Sequence, residues 1–479
     1  MSAPPETGVQ PSLTREIFDA IRGRPRDYTV GPLRRATFIL AIPMVLEMSM
    51  QSVFSVVDMY FVSQLGDEAA VGGVINAEGL LSIVFAVGLG LSMGAAATVA
   101  RRIGEGDEKG ARSATVQAIG LGLIIAAPIG IVGAFFIDTF FGWMGVSDTI
   151  AAAGRGYGTH LIAGCPTIFL LFLINGAFRG AGDAISAMKA LWVANIINMA
   201  LDPVLIFGWG PIPAMGVTGA AVATNIGRGI GVLYQLRLLA KGRIGVRWAD
   251  VRIVPATMSR LFKVSRIGIF QFFVGTTSYT GLIMIINHVG QDPDLAPGIG
   301  DGMVAGFGVA VRIIMFVFFP AWGIGNAAAT LVGQSLGAGN PQRAEAAAWV
   351  ACRANVVFLG TVGALSIAFP ETIVGWLNDQ PETLKWGAQC LRFTAFAYLM
   401  MAFSMVLMMA FNGAGDTWTP TRVSLIAHWA LKLPAAWLLS VTFGLGVTGV
   451  FIALPLAEVL AATLFIILFR RGRWKETVV

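Results

Sequence analysis

The sequence is poor in charge. Only 13% of its 479 residues are Asp, Glu, Lys or Arg, whereas 56% are hydrophobic. A soluble domain carries about 25% charged residues, so this composition excludes a soluble globular protein and a disordered chain. The net charge is +6, but the sequence has no polar domain that could present a nucleic-acid-binding surface. The basic residues flank hydrophobic segments instead, which is typical of a polytopic helical membrane protein with the lipid bilayer as partner.

Cysteine and histidine are also scarce, with three of each. Cys165, Cys352 and Cys390 lie in or beside apolar runs without a CxxC spacing, and we interpret them as small core residues. The histidines are scattered singly, and neither an HExxH motif nor a Walker A motif occurs. An intramembrane enzyme therefore finds little support, and we expect no cofactor.

The chain also lacks a hydrophobic leader. Residues 1–35 are polar and contain five prolines, which is not the pattern of a secretory signal. We expect this end to remain in the cytoplasm, with a short amphipathic helix at Thr14–Ile21 lying on the membrane surface.

Long hydrophobic runs, in contrast, recur twelve times, and each can cross about 30 Å of hydrocarbon at ~1.5 Å per residue. Basic residues crowd alternate connections, which predicts that both termini are cytoplasmic and that the protein lies in the inner membrane. We number the runs as spans 1 to 12 and predict them near 37–64, 70–100, 114–141, 157–180, 186–208, 214–239, 263–290, 303–334, 345–370, 385–412, 420–443 and 446–470.

The two halves of the chain repeat each other. Phe178–Asp183 recurs as Phe411–Asp416, a shift of 233 residues (411 − 178), and Gly216–Gly219 recurs as Gly446–Gly449. Parallel duplicated halves around a midplane cavity are a transporter design. We predict an all-α polytopic membrane protein with twelve transmembrane helices in two pseudo-symmetric lobes around a central cavity. Its parts are a cytoplasmic segment 1–36, an N-lobe 37–240, a linker 241–262, a C-lobe 263–470 and a tail 471–479.

Span 5 carries a polar stripe in an otherwise apolar run. Asn195, Asn198 and Asp202 fall at i, i+3 and i+7 and share one helix face. A carboxylate in the middle of a span costs roughly 2.5–3.5 kcal/mol, so it needs a partner, a proton or an ion. Pro203 leaves the carbonyl of Met199 without its helical donor beside the acid. The alternative is that Asp202 caps a helix end.

Several repeated motifs resemble the MATE (multidrug and toxic compound extrusion) transporters over about residues 37–470. They comprise Ile42-Pro43 and Val57–Gly66 on span 1, the Gly-x-Gly-Asp/Asn loops after spans 2 and 8, the Phe-x-Gly-Ala-Gly-Asp loops after spans 4 and 10, and Asn198–Gly208. The pattern of acids is similar to the archaeal and DinF-like branch. This resemblance implies a cation-coupling site in the first half, and the residues that match it are Asp58, Tyr157, Asn175, Asn198, Asp202 and Thr224.

The depth of the two acids supports a shared site. Asp58 and Asp202 lie about 30 and 22 Å from the cytoplasmic ends of their spans, so both belong to the outer half. Two carboxylates at similar depth repel, which favours a proton on one of them. They could instead share Na⁺ with Asn175 and Asn198, because such a cation takes carboxylate and amide oxygens. Pro43 would supply the bend of span 1 that the resemblance implies.

A substrate cavity is predicted from polar residues near the midplane and from a methionine-rich span. The candidates are Glu47 and Gln51 on span 1, Glu78 on span 2, and Met401, Met405 and Met408 on one face of span 10. The alternatives are a structural hydrogen bond for Glu47 and lipid-facing packing for the methionines. Glu78 and Arg312 lie at nearly equivalent places in the two halves, as do Arg228 and Glu458, and the alternative is that these charges pair across or within lobes to neutralise buried charge.

We therefore predict a monomeric antiporter that exports hydrophobic or cationic small molecules in exchange for H⁺ or Na⁺. The alternative is a flippase of a lipid-linked precursor, or an exporter of one specific metabolite. A pyrophosphate head would need several cavity-facing cations, and Arg228, Arg312 and Lys432 are the candidates. Lys432 and His428 lie on span 11, where the first half has its asparagines.

Overall fold

The structure is a computed structural model that describes residues 27–291, 293 and 298–477. The predicted helix at Thr14–Ile21 lies outside the described residues. All twelve predicted spans are helical, with ends that differ from the predictions by a few residues to about ten. They run as Leu33–Ser63, Glu68–Gly104, Glu108–Phe135, Asp148–Ala163 with Cys165–Gly180, Ala184–Phe207, Val217–Lys241, Pro255–Gly290, Ile299–Gly337, Pro341–Ala368, Pro381–Ala414, Trp418–Thr442 and Val447–Arg470.

Most of these helices can cross a bilayer. Among the described residues, ten are long and apolar enough, and span 4 adds an eleventh if its two pieces, bent by 44° at Gly164, count as one. Span 6, with 25 residues, is slightly longer than the shortest of these ten helices, but it carries the charged residues Arg228 and Arg237. Large apolar side chains such as Val357 and Phe396 are about two-thirds exposed, at 70% and 67%. Such a surface is stable against lipid tails and not against water.

The internal repeat is visible in the local conformation of equivalent residues. Gly216 and Gly446, which precede spans 6 and 12, have φ/ψ of 56°/−143° and 57°/−146°. Asp107 caps span 3 by accepting from the amide of Gly110, and Asn340 caps span 9 by accepting from the amide of Arg343. Asp183 and Asp416 likewise accept from the amides of Ser186 and Thr419. The two halves are therefore two copies of one six-helix lobe.

The lobes pack against each other at the end of the bundle that carries Arg101, Arg343 and Arg470, which we call the basic end. Spans 1 and 2 of the N-lobe contact spans 7 and 8 of the C-lobe there. The Gly90-x-x-x-Gly94 stretch lies against the backbone of span 7, where a Cβ at Gly90 would collide with Ile269. A Cβ at Gly323 on span 8 would lie 2.7 Å from the amide nitrogen of Val45. Glycine thus allows the close helix packing that this interface needs.

Both ends of the described chain contact the basic end of the bundle. Arg343 of the C-lobe donates four hydrogen bonds of 2.8–3.2 Å to the carbonyls of Tyr28, Val30 and Gly31. Tyr28 in turn packs against Gly182 of the N-lobe. At the other terminus Lys475 pairs with Glu345 at 2.6 Å. Both terminal segments therefore lie at the basic end.

Span 1, like spans 3, 5, 8 and 12, contains a proline, and span 11 departs from regular α-helix. Span 1 passes through Pro43 as one helix, Leu33–Ser63, although proline cannot donate to the carbonyl of Ile39. Span 11 contains two π-helical stretches, Leu425–Lys432 and Leu438–Thr442, on either side of a short α-helical turn at Leu433–Trp437. Such stretches are rare and occur frequently at functional sites. The short helices Ile137–Trp143 and Pro370–Gly375 complete the two lobes.

Candidate functional site

The N-lobe holds a buried polar cluster centred on Asp202. Asp202 is completely buried and lies inside span 5, which continues to Phe207; the alternative of a helix cap does not describe it. The side-chain amide of Asn198 donates to Asp202 Oδ1 at 3.3 Å and to Thr224 Oγ1 of span 6 at 3.0 Å. Asp202 Oδ2 and Asn198 Oδ1 have no hydrogen-bond partner among the described residues. Buried oxygens in this state are costly unless a proton or a cation satisfies them.

Two other predicted coupling residues surround this cluster. Asp58 of span 1 is buried and interacts electrostatically with Asp202 and with Arg228 of span 6. Tyr157 of span 4 is buried within range of the same groups. The Arg228 guanidinium lies 5.8 Å from the ring centre of Phe85 on span 2. The charges of spans 1, 5 and 6 are thus electrostatically interdependent.

Asn175 belongs to a different network. Its side-chain amide donates to Glu47 Oε1 at 2.9 Å, and its own oxygen accepts from Gln235 Nε2 at 2.7 Å. Glu47, which is 1% exposed, also forms a salt bridge of 3.0 Å with Arg179. The predicted sodium ligand set combines Asn175 with Asp202 and Asn198. In the structure Asn175 belongs to a separate hydrogen-bonded network. Its oxygen faces Gln235 instead.

This second network reaches the C-lobe. Arg179 Nη2 donates to Ser92 Oγ at 3.2 Å. The carbonyl of Arg179 accepts from Thr330 of span 8 at 2.9 Å, and the neighbouring carbonyl of Gly180 accepts from Gln334 at 2.8 Å. The end of span 4 therefore carries both a buried ion pair and a hydrogen-bonded contact between the lobes.

The C-lobe encloses the larger space. A cavity of about 500 Å³ lies between spans 7, 8, 10, 11 and 12, whereas the space beside Gln51 and Arg228 in the N-lobe is about 10 Å³. Volumes of 300–1,000 Å³ are typical of small-molecule sites. The cavity wall includes the three predicted methionines, several aromatic rings and three ionisable groups, namely Met401, Met405, Met408, Phe272, Tyr279, Trp322, His428, Lys432 and Glu458.

The acidic and amide candidates for this cavity lie elsewhere. Glu47 pairs with Arg179 inside the N-lobe, and Gln51 lines the small N-lobe space. Glu78 is exposed on span 2, where it interacts with Asp58, Arg228 and Arg312. Arg228 and Glu458 belong to different lobes and have different partners, since Glu458 interacts with Lys432. Of the two arrangements expected for these charges, pairing across or within lobes, Arg228 and Glu458 follow the second, because each has an opposite charge within its own lobe.

Sequence reasoning did not identify Arg179, Gln235 and Thr330 as members of these networks. In the sequence Arg179 belongs to the basic residues expected in the connection after span 4, but the structure places it in the last turn of span 4 with its side chain 11% exposed. A signal was present, since Glu47 in an apolar run needs a cation. Its partner could not be chosen without the fold, because the two residues are 132 positions apart.

The chemistry of the Asp202 cluster is limited to proton or hard-cation binding. Its donors are the oxygens of Asp202, Asn198 and Thr224, which suit H⁺ or Na⁺ and not a soft metal. In the ranges that the structure describes, no group of three or more His, Cys, Asp or Glu side chains could hold a metal ion.

Comparison with known proteins agrees with this architecture. The family model described as MatE matches residues 43–204 and 295–438. The "Probable multidrug resistance protein NorM" of Thermotoga maritima is 26% identical over 464 residues, which are 94% of this chain and 95% of that protein. The "FAD transporter" of Shewanella oneidensis is 26% identical over 432 residues, covering 90% of this chain and 93% of that protein.

Solved structures share the fold. A crystal structure of MATE in complex with MaL6 superposes with a TM-score of 0.86 at 24% identity, covering 95% of this chain and 100% of that one. A structure described as the outward-facing conformation of a multidrug resistance MATE family transporter gives a TM-score of 0.86 at 24% identity, with 95% and 99% covered. Likeness at this identity shows the fold alone.

Proposed function

Because this chain belongs to the MATE family of multidrug efflux transporters, we propose that it is a secondary active antiporter that exports hydrophobic or cationic compounds in exchange for H⁺ or Na⁺. It is a multi-pass membrane protein that acts on small molecules, and its family consists of transporters and not of enzymes. The ion-coupling mode and the substrate are the parts of this assignment that we add.

One observation carries the coupling proposal. Asp202 is completely buried in an apolar span, and one of its oxygens has no partner in the described part of the chain. A carboxylate in that setting gains more from binding a proton or a cation than one in water does. Asn198, Thr224, Asp58 and Tyr157 surround it and would complete the site. In this proposal Asn175 does not bind the ion. It acts through its hydrogen bond to Glu47.

The conformational cycle follows from the same residues. The lobes are packed together at the basic end, so the cleft between them opens toward the other end. We assign the basic end to the cytoplasm, since positively charged connections favour that side. Ion binding at Asp58 and Asp202 would change the packing of spans 1, 5 and 6, with Pro43 as the hinge. Alternation between two lobe packings then exposes the cavity to each side in turn.

The remaining features are assigned by the same reasoning. We place the protein in the inner membrane as a monomer, with an N-lobe at 37–240, a linker at 241–262 and a C-lobe at 263–470. Segments 1–36 and 471–479 belong to the cytoplasmic side. Only H⁺ or Na⁺ is required, with no organic cofactor.

The flippase alternative is not favoured. It needs several cations free to bind a pyrophosphate head. Arg228 interacts with Asp58 and Glu78, Arg312 interacts with Glu78, and Lys432 interacts with Glu458. Each candidate cation thus has an acidic neighbour, and of the three Lys432 alone lines the cavity of about 500 Å³, which is one cation where a pyrophosphate head needs several.

Transport in proteoliposomes tests the proposal. The purified protein is reconstituted, a pH or sodium gradient is imposed, and accumulation of the cationic dye ethidium is followed by fluorescence. We expect accumulation with one of the two gradients, and loss of that gradient response in Asp202→Asn. Asp138→Asn, which changes an exposed carboxylate paired with Arg155, is the matched control. Wild-type protein without a response to either gradient would contradict coupled export.

A further inference from the structure

Two charged residues of the C-lobe stand at sequence positions equivalent to two charged residues of the N-lobe but have the opposite sign. Gly216 and Gly446 define a shift of 230 residues (446 − 216), and their backbone conformations agree within a few degrees. The same shift relates Asp202 to Lys432, and Arg228 to Glu458. The repeat has therefore exchanged an acid for a base on span 11 and a base for an acid on span 12.

These two charges face open space. Both Lys432 and Glu458 line the cavity of about 500 Å³. They attract each other electrostatically, yet no salt bridge joins them among the described residues. Glu458 Oε2 accepts a hydrogen bond of 3.0 Å from Ser404 of span 10, which fixes the carboxylate at the wall. Each of the two charges is therefore accessible to a molecule in the cavity.

The backbone of span 11 holds the cationic side of the site in place. Lys432 ends the π-helical stretch that begins at Leu425. The carbonyl of His428 accepts from Ser278 of span 7 at 3.2 Å, and the indole of Trp429 donates to the carbonyl of Val274 at 3.2 Å. Both bonds tie the irregular stretch to span 7. The position of Lys432 in the cavity is thereby determined by two helices.

The rest of the wall suits an aromatic ligand. Its rings and thioethers adapt to flat apolar groups of different outline. Most of them are contributed by three helices, and Lys432 and Glu458 add two opposite charges to the same wall. The residues are Phe272 and Tyr279 of span 7, Phe307, Phe318 and Trp322 of span 8, and Met401, Met405 and Met408 of span 10.

We propose that this cavity binds aromatic amphipathic zwitterions, with Lys432 pairing with a carboxylate of the compound and Glu458 with its amine. The inference rests on the proposed transport function and names its substrate class. A simple cation pairs with Glu458 alone and a simple anion with Lys432 alone, so each binds through one charged contact and more weakly than a compound that makes both. A compound with both charges satisfies both groups and leaves neither unpaired.

Binding to the purified protein in detergent, with no ion gradient, tests this inference. Three probes share one fluorophore and a linker of similar length. Nε-dansyl-lysine carries an amine and a carboxylate, dansylcadaverine carries only the amine, and dansyl-aminohexanoate carries only the carboxylate. Dansyl emission increases when the ring enters an apolar site. We expect dansyl-lysine to bind about tenfold more tightly than either analogue, since each lost charged contact is worth about that factor.

Two variants assign the charges. In Lys432→Met the preference for dansyl-lysine over dansylcadaverine should disappear, and in Glu458→Gln the preference over dansyl-aminohexanoate should disappear. The matched controls are Lys385→Met and Glu371→Gln, which change exposed residues of the same lobe. Both controls should retain the wild-type order of affinities.

The wild-type comparison decides the matter even if a variant fails to fold. Equal affinity for the three probes, tighter binding of dansylcadaverine, or no binding of any probe would overturn the inference. Failure of gradient-driven transport with the binding order intact would instead contradict the coupling proposal and leave the zwitterion site standing.

Discussion

The two lobes have the same fold but different interiors. In the N-lobe the polar groups of spans 1, 4, 5 and 6 bond to one another, and the space beside Arg228 is about 10 Å³. In the C-lobe the charges at equivalent positions line a cavity of about 500 Å³. One duplicated fold can thus carry two different kinds of site, one in each lobe. A closed polar cluster suits a small ion, whereas an open apolar cavity with two fixed charges suits an organic molecule.

The physical reason for the difference is the side chain that fills each interior. In the N-lobe the guanidinium of Arg228 lies over the ring of Phe85, and the Glu47–Arg179 pair ties span 1 to span 4. The C-lobe has a neutral amide, Asn412, at the position that corresponds to Arg179. The charged side chains Lys432 and Glu458 of the C-lobe line the open cavity instead.

The largest expected effect comes from matched substitutions at the equivalent positions 198 and 428. Asn198→Leu removes the donor that joins Asp202 to Thr224 and should lower gradient-driven ethidium uptake about tenfold or more. His428→Leu changes the cavity wall and should retain the response to the gradient. Uptake under the effective gradient is measured in proteoliposomes for both variants. Loss of the gradient response in His428→Leu but not in Asn198→Leu would reverse the roles of the lobes.

Converting the N-lobe ion pair into neutral residues should affect stability next. Arg179→Asn leaves Glu47 buried without its cation, and breaking a buried pair from one side costs about 3–5 kcal/mol. The double variant Glu47→Gln with Arg179→Asn removes both charges and should recover most of that loss. The measurement is the apparent Tm in detergent. A double variant that is no more stable than Arg179→Asn would show that the pair is not the source of the effect.

A smaller effect is expected at the cavity wall. Met405→Ala should weaken dansyl-lysine binding by two- to tenfold, the range of a thioether contact with an aromatic ring, while the preference for the zwitterion persists. Met400→Ala on the same span, which does not line the cavity, is the control. A titration of fluorescence measures both. Equal weakening in the two variants would argue against methionine contacts with the probe.

The smallest effect concerns the contact of the N-terminal segment with both lobes. Arg343→Met removes the four hydrogen bonds to Tyr28, Val30 and Gly31 and should increase amide hydrogen exchange in residues 27–32 several-fold. Thr29 holds the start of this segment through the carboxylate of Asp27, and that bond lowers the pKa of Asp27. Arg353→Met, an exposed change on the same span, should leave exchange unaltered. Unchanged amide exchange in Arg343→Met would show that these hydrogen bonds do not hold the N-terminal segment against the lobes.

The sequence predicts much of the fold because a bilayer restricts the choices. Twelve apolar runs, the repeated glycine motifs and the grouping of basic residues are all local signals. The predicted clustering of Asn198, Asp202 and Thr224 agrees with the described geometry for the same reason, since two of them share one helix face. The partners of Asn175 and Arg179 depend on how spans 1, 4 and 6 pack, which no local pattern encodes. The cavity between spans 7, 8, 10, 11 and 12 is equally a property of packing, although its methionines are conspicuous in the sequence.

Uptake of dansyl-lysine into proteoliposomes tests the division between the lobes most directly. The initial rate of uptake is measured as a function of dansyl-lysine concentration, with and without the effective gradient. The variants are Asp202→Asn and Lys432→Met, which change equivalent positions of the two lobes. We predict that Asp202→Asn loses the acceleration by the gradient at every concentration. Lys432→Met should keep that acceleration with KM raised about tenfold. A raised KM in Asp202→Asn together with a lost gradient response in Lys432→Met would contradict the account.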